Sequence, residues 1–200
     1  MHLHKCQQVS LLAIAMTAAF AAYAQDVDQA VQRYSKMEYS EAESELRKAV
    51  EAKPDDARAH RYLGLALLEQ EKISEAEQFL KKAEEIQSSG ETKGALARFY
   101  AEQKDLDKAE AMLQGASGTD ASYAKALVAF NKKNYEEAAS EFESFLESHP
   151  KHAYAHYYAG MAYNGLRRQD KMLNHLEMFM RLKPDAREAR AVRSMLKTGQ

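Results

Sequence analysis

The stretch YEEAASEFESFLESHP, residues 135–150, carries a pattern that returns along the chain. It opens on an aromatic residue, places alanine three positions later, sets a large apolar residue four positions after that, and closes on proline. YSEAESELRKAVEAKP, residues 39–54, repeats each of these features, and related patterns occupy residues 73–86, 106–116 and 170–184. The apolar residues recur at helical spacing, so each stretch predicts an amphipathic α-helix.

The small-residue position of this pattern recurs at nearly constant intervals. It falls at Ala42, Ala76, Ala109, Ala138 and Met172, in steps of 34, 33, 29 and 34 residues. A partner helix precedes each stretch, most clearly in HRYLGLALLEQ, residues 60–70. A stacked two-helix unit explains the spacing, because an amphipathic helix pair buries its apolar face only against neighbouring pairs. The sequence therefore predicts an all-α chain.

These features resemble the tetratricopeptide repeat family, whose motif places a large residue, Leu-Gly and Tyr in the first helix and Ala, Phe, Ala and Pro in the second. The matching first-helix residues are His60, Leu63, Gly64 and Leu67 in the second unit and His156, Ala159, Gly160 and Tyr163 in the fifth. The resemblance covers about residues 26–184. It implies a right-handed superhelical solenoid of about five helix pairs, at about residues 25–55, 56–89, 90–118, 119–152 and 153–184, closed by a capping helix and tail at residues 185–200.

Three departures from the family pattern carry further expectations. The number of residues from Tyr34 to Tyr39, and likewise from Phe130 to Tyr135, suggests that units one and four lack one residue in the turn between their helices. The second helix of unit three is predicted to be short, ending near residues 115–118, and to change the superhelical pitch there. Met172 takes a small-residue position in unit five, which predicts wider helix separation.

The first 24 residues have the three parts of a cleavable secretory signal. Lys5 supplies a basic start, residues 9–22 form an apolar run, and Ala22-Tyr23-Ala24 offers a small-x-small cleavage site. Cleavage would remove Cys6, the one cysteine of the chain, so no disulfide is predicted. We therefore expect a periplasmic protein without stable membrane insertion after cleavage. An uncleaved anchor and a secreted protein are the alternatives.

Composition narrows the classes of partner and activity. Without Lys5 the chain has 27 Lys and Arg against 30 Asp and Glu, a net charge of −3, which disfavours nucleic acid or an anionic membrane as the main partner. The strings GXSXG and HEXXH and a phosphate-binding glycine-rich loop are absent. The sequence thus predicts a non-catalytic protein with no cofactor.

The resemblance also implies that the first helices line a concave groove for a partner segment, helical or extended. Tyrosine and arginine are enriched in protein–protein interfaces. The predicted role is therefore an adaptor or scaffold of the bacterial cell envelope. Solvated helix faces are the alternative for any single position. The predicted groove residues are Arg58, Arg61, Leu65, Leu68, Arg98, Val128, Asn131, Tyr154, Tyr157, Met161 and Asn164.

The histidine-rich stretch at residues 149–156 leaves a second interpretation open. His152 and His156 are one helical turn apart, His149 lies just before them, and nearby methionines offer thioether ligands for copper. Against this hypothesis of a periplasmic metal-binding protein, His156 takes the packing position that His60 takes in unit two. Self-association through the aromatic surface of unit five is a further alternative.

Overall fold

The computed structural model describes residues 23–198, which form eleven α-helices and no β-strand. The predicted signal at residues 1–24 lies outside this part of the chain except for its last two residues. No helix in the described part is long and apolar enough to cross a membrane. The helices are α1 (residues 23–35), α2 (Tyr39–Ala52), α3 (Ala57–Glu69), α4 (Ile73–Ile86), α5 (Gly90–Glu102), α6 (Leu106–Leu113), α7 (Thr119–Asn131), α8 (Tyr135–Ser148), α9 (Ala153–Gly165), α10 (Gln169–Leu182) and α11 (Ala189–Thr198).

The chain divides into two compact units after residue 88. In the first, α3 packs against both α2 and α4, and the Tyr34 ring of α1 contacts Tyr39 and Tyr62, each at 5.6 Å between ring centroids. In the second, α7 packs against α5, α6, α8 and α9, while α10 lies between α9 and α11. Each unit is thus a stack of helix pairs, and the predicted all-α architecture is confirmed.

The turn inside each helix pair has the same three-residue length in all five pairs. Its middle residue is left-handed every time, with φ between 57° and 65°, and none of the five is glycine. The next N–H donates to the carbonyl five residues back, for example Lys72 to Leu67 at 2.9 Å and Arg168 to Tyr163 at 2.9 Å, which is a Schellman ending. The expectation of shorter turns in units one and four is therefore wrong. The left-handed residues are Met37, Glu71, Lys104, Lys133 and Arg167.

Glycine allows the two helices of a pair to approach closely in units two and five. A Cβ built on Gly64 would lie 2.6 Å from the Leu80 side chain, and one built on Gly160 would lie 2.8 Å from Leu176. The Cβ built on Gly64 would lie 3.1 Å from the carbonyl oxygen of Ala76, and the Cβ built on Gly160 would lie 3.3 Å from that of Met172. Met172 therefore fits with almost no extra separation, contrary to the sequence-based expectation.

α6 and α11 are the two shortest helices in the described residues. α6 has only eight residues and ends at Leu113, as the glycines at positions 115 and 118 suggested. α11 begins at Ala189, within the segment 185–200 that was predicted to form a capping helix and tail, and it packs on α10. Ala189 and Val192 are buried and Leu196 is partly buried, whereas Arg190 and Arg193 are exposed.

Candidate partner-binding surface

The surface of α9 combines two tyrosines that stand one helical turn apart. The His152 side chain accepts the Ala155 N–H at 3.1 Å and so caps the start of the helix. Tyr154 and Tyr157 follow on one face, with Met161 and the exposed Asn164 farther along it. The N-terminal cap therefore fixes where these side chains lie.

Both tyrosine rings rest on the buried ring of Phe179 in α10. The centroid distances are 5.8 Å for Tyr154 and 5.2 Å for Tyr157. The Tyr154 hydroxyl donates to Glu188 Oε2 at 3.3 Å, and Lys183 Nζ lies 4.6 Å from the centre of the Tyr154 ring. Aromatic packing thus holds one side of each ring, and charged groups from the α10–α11 region surround Tyr154.

Tyr157 differs from Tyr154 in its hydroxyl group. Its ring is half-buried and meets Tyr158 edge-to-face at 5.2 Å, yet within residues 23–198 its hydroxyl makes no hydrogen bond. Burial raises the pKa of Tyr157, the Glu188 carboxylate raises it further, and Arg187 acts in the opposite direction. The hydroxyl is therefore protonated at neutral pH and can donate a hydrogen bond to an incoming acceptor.

The predicted positions on α3 form a different environment. Arg58 Nη1 lies 2.6 Å from Asp28 Oδ1, and the Arg61 guanidinium lies 4.7 Å from the centre of the Tyr62 ring. Both arginines keep part of their surface accessible. Leu65 and Leu68, by contrast, are only 1% and 4% exposed. These two leucines are packing residues, so the prediction that they line an open groove is wrong for both.

Two predicted groove residues in the second unit, Arg98 and Val128, are also buried. Arg98 is 7% exposed, with its guanidinium bound to Glu102 at 2.9 Å and Asp120 at 3.1 Å. Val128 is also buried, and the Asn131 amide donates to the Ala101 carbonyl at 3.0 Å. Arg98 therefore ties α5 to α7 instead of offering its charge to a partner. The partner-binding role of the seven more exposed residues stays a prediction.

The histidines of the candidate metal cluster form separate hydrogen bonds. His149 Nδ1 lies 3.2 Å from the Phe145 carbonyl, and the His152 ring packs on Tyr123 at 4.7 Å while its Nδ1 caps α9. Across residues 23–198, no three side chains of His, Cys, Asp or Glu are grouped to hold a metal ion. The structure does not bring His149, His152 and His156 together as the copper hypothesis requires.

His156 instead pairs with His175, a residue of α10 that the sequence did not single out. Their Nδ1 atoms are 3.1 Å apart and their ring centroids 5.4 Å apart, which places both nitrogens near the line joining the rings. His156 Nε2 lies 3.1 Å from the Pro150 carbonyl oxygen, which can only accept, so Nε2 carries a proton. In the neutral pair, His156 Nδ1 therefore accepts from His175 Nδ1–H.

Family models of the tetratricopeptide repeat match residues 27–91 and 123–171, over half of the chain. The chain belongs to the tetratricopeptide repeat family. No curated protein matches it in sequence. The family assignment confirms the predicted fold class, and it accounts for the helix pairs of both units.

Solved structures of other proteins share this fold, among them a second tetratricopeptide protein. A thermophilic protein from Thermus thermophilus aligns with a TM-score of 0.65 at 16% identity, covering 88% of this chain and 99% of that one. PilF of Pseudomonas aeruginosa aligns at 0.56 and 18% identity, covering 89% and 88%. PilW, a type IV pilus biogenesis factor, aligns at 0.57 and 12% identity, covering 89% and 90%. At these identities the likeness concerns the fold.

Equivalent positions in units two and five show why His156 pairs with His175. His60 holds the position in unit two that His156 holds in unit five, and its Nε2 likewise lies 2.9 Å from a proline carbonyl, that of Pro54. Phe79 faces His60 where His175 faces His156, at 5.7 Å between ring centroids. His60 Nδ1 is consequently buried without a partner in the described residues. The histidine at this tetratricopeptide position is structural, and His175 supplies the hydrogen bond that Phe79 cannot.

We expect the free energy of unfolding to fall as the pH drops below 6.5. Burial lowers the pKa of both His156 and His175; for His175 the neighbouring His156 lowers it further, Glu143 opposes this, and Lys171 adds to it. The unfolded chain, with an ordinary histidine pKa of 6.5, then takes up protons that the folded chain does not. Stability present above pH 6.5 is thus lost as the pH falls toward the lower folded-state pKa values. Urea unfolding between about pH 8 and about pH 5 measures this.

The matched variant is His175→Phe, which recreates the environment of His60. It is expected to lower stability by about 1–3 kcal/mol near pH 8, because His156 Nδ1 loses its donor. It should also flatten the decline on acidification, since one of the two coupled groups is gone. Parallel pH profiles for the variant and the wild type would contradict the assignment of the pH dependence to this pair.

Proposed function

We propose that this tetratricopeptide protein is a non-catalytic adaptor or scaffold that binds a segment of another protein on the α9 surface formed by Tyr154, Tyr157, Met161 and Asn164. Tyrosine offers a large contact area together with an oriented hydroxyl group, and it is enriched at energetically dominant interface positions. The rings rest on Phe179, so they are held in place before a partner arrives. Little side-chain entropy then opposes binding.

The Tyr157 hydroxyl is the observation that carries the proposal. It is partly desolvated in the folded chain and makes no hydrogen bond within the described residues. A main-chain carbonyl or a carboxylate of a bound segment would accept from it, and a new hydrogen bond of this kind contributes about 0.5–1.5 kcal/mol. The Tyr154 hydroxyl already donates to Glu188, so Tyr157 is the better placed of the two to form a hydrogen bond with a partner.

We further propose that the adaptor works in the cell envelope, in the periplasm. The support is the signal-like pattern of the first 24 residues. Cell fractionation followed by N-terminal sequencing tests this location, and we expect a mature chain that starts at Gln25. An unprocessed chain in the cytoplasm would contradict the location without affecting the binding surface.

A photo-crosslinking residue at position 157 tests the binding surface in the cell. We expect a discrete adduct whose partner is identified by mass spectrometry, because a segment bound on α9 lies against this position. Glu177 is the matched control, since it is exposed on the neighbouring helix α10. A probe at position 177 should give only background.

Two results would count against the surface assignment. Equal diffuse labelling from both positions would mean that α9 holds no defined partner. Undiminished capture from a probe at position 161 in a Tyr157→Ala variant would mean that Tyr157 does not anchor the partner. Circular dichroism of each variant checks that the helix pairs remain folded.

A further inference from the structure

Charge is distributed unevenly along the chain. Residues 149–200 contain ten Lys and Arg against four Asp and Glu, whereas residues 25–148 contain 17 against 26. Local net charges of +6 and −9 therefore lie within a protein whose total charge is close to neutral. Such segregation creates opposite surface potentials that act beyond single ion pairs.

Helix α11 and Arg187, two residues before its start, concentrate positive charge on one exposed surface. We define the α11 basic surface by Arg187, Arg190, Arg193 and Lys197, all of which are exposed. Arg187 is bound to the neighbouring Glu188, and Arg193 donates to the Pro184 carbonyl at 2.8 Å. Arg190 and Lys197 form no ion pair with any residue in the described part of the chain. Their charge is thus not neutralised by any residue between positions 23 and 198.

We infer that the α11 basic surface docks on the acidic region, residues 25–148, of a second copy of this chain. The complementary charge is present in the same protein, and exposed carboxylates on α6 and α8 supply part of it. These carboxylates are Asp107, Glu136, Glu137 and Glu147. The inference concerns a different surface from the α9 tyrosines and does not depend on the proposed function.

Other anionic partners fit the observations less well. On the apolar face of α11, Ala189 and Val192 are buried and Leu196 is partly buried, so this helix offers little apolar surface to insert into a membrane. A long nucleic acid extending from the basic surface would meet a chain whose remaining segment is strongly acidic. A protein surface of limited extent avoids that repulsion.

The geometry of such a contact also predicts how it grows. The basic surface meets an acidic surface elsewhere on its neighbour, so the contact is head-to-tail and leaves one unused surface at each end. Association should therefore increase continuously with concentration instead of stopping at a dimer. It should also weaken with salt, because exposed charges are screened.

Sedimentation velocity of the purified protein tests the inference. We expect the weight-average sedimentation coefficient to rise with protein concentration in about 10 mM NaCl and to return to the monomer value in about 300 mM NaCl, where the Debye length is about 5–6 Å. The double variant Arg190→Glu with Lys197→Glu should stay monomeric at both salt concentrations. Both side chains are exposed, so the fold should be unchanged.

The control variant is Lys36→Glu with Lys48→Glu. It changes the net charge by the same amount, but it lies in the acidic region and leaves α11 intact, so association should persist. A wild-type protein that is monomeric at low salt would overturn the inference, as would association that survives reversal on α11. Monomeric protein that sediments with anionic vesicles through Arg190 and Lys197 would instead assign the basic surface to a membrane.

Discussion

Replacing Phe142 with alanine is expected to lower the free energy of unfolding by about 3–5 kcal/mol. The Phe142 side chain is completely buried in α8. Its ring packs edge-to-face on Tyr123 at 5.9 Å and stacks on Tyr158 at 5.8 Å. These rings are held by further aromatic contacts of their own, for example Tyr158 against Phe130 at 5.2 Å, so the cavity cannot be closed by a small shift.

Urea unfolding followed by circular dichroism measures this loss. Phe79→Ala is the matched control, because Phe79 is also a second-helix phenylalanine but is partly exposed, and it should lose less. Because Tyr158 supports Tyr157, we also expect Phe142→Ala to reduce crosslinking from position 157. A loss below about 1 kcal/mol, the average for point substitutions, would show that the aromatic cluster repacks.

Replacing Arg98 with methionine is expected to cost about 2–4 kcal/mol. The guanidinium is buried between Glu102 and Asp120, and its removal takes away a cation that both carboxylates bind. Removing one partner of a fully buried ion pair costs about 3–5 kcal/mol, and the remaining exposure of the two carboxylates reduces that figure. The effect should appear in stability and not selectively in partner binding.

Two comparisons separate this cost from a general effect of losing charge. Arg98→Met with Asp120→Asn should be more stable than Arg98→Met alone, because one stranded carboxylate is then neutral. Lys125→Met removes an exposed pair with Glu141 at 2.6 Å and should cost less than about 1 kcal/mol. Equal losses for Arg98→Met and Lys125→Met would contradict the structural role of Arg98.

The helix pairs were predictable from sequence because their determinants are local. Alanine and glycine at fixed spacing allow close approach, and the large residue four positions later fills the adjacent groove. Gly64 with Leu80 and Gly160 with Leu176 show this relation directly. The short helix α6 was also readable, since glycines with φ of 82° and 87° follow it at positions 115 and 118.

The candidate site was harder to predict because burial depends on more than one helix pair. Leu65 and Leu68 occupy the first-helix positions that Met161 and Asn164 hold in unit five, yet both leucines are buried, as are Arg98 and Val128. The spacing along one helix gives the face of a residue but not the neighbour that covers it. His175 was missed for the same reason, because nothing in its own helix indicates that a histidine of α9 lies opposite.

The turn lengths escaped prediction because the left-handed residue has no characteristic side chain. Met37, Glu71, Lys104, Lys133 and Arg167 adopt one conformation but share no chemistry, and glycine, the usual marker of such a position, is missing from all five. The aromatic residues on which the predicted turn lengths depended, such as Tyr34 and Tyr39, lie in the helices on either side of the turn. Their spacing does not report the turn itself.

These five identical turns affect how a gene for such a protein can change. Each helix pair enters and leaves its turn with the same backbone path, so duplication or deletion of one whole repeat leaves every remaining turn intact. Unequal recombination between repeats would then produce shorter or longer arrays that still fold, provided that a capping helix closes the last pair. The side chains at the left-handed positions do not determine the turn, so they can differ from one repeat to the next.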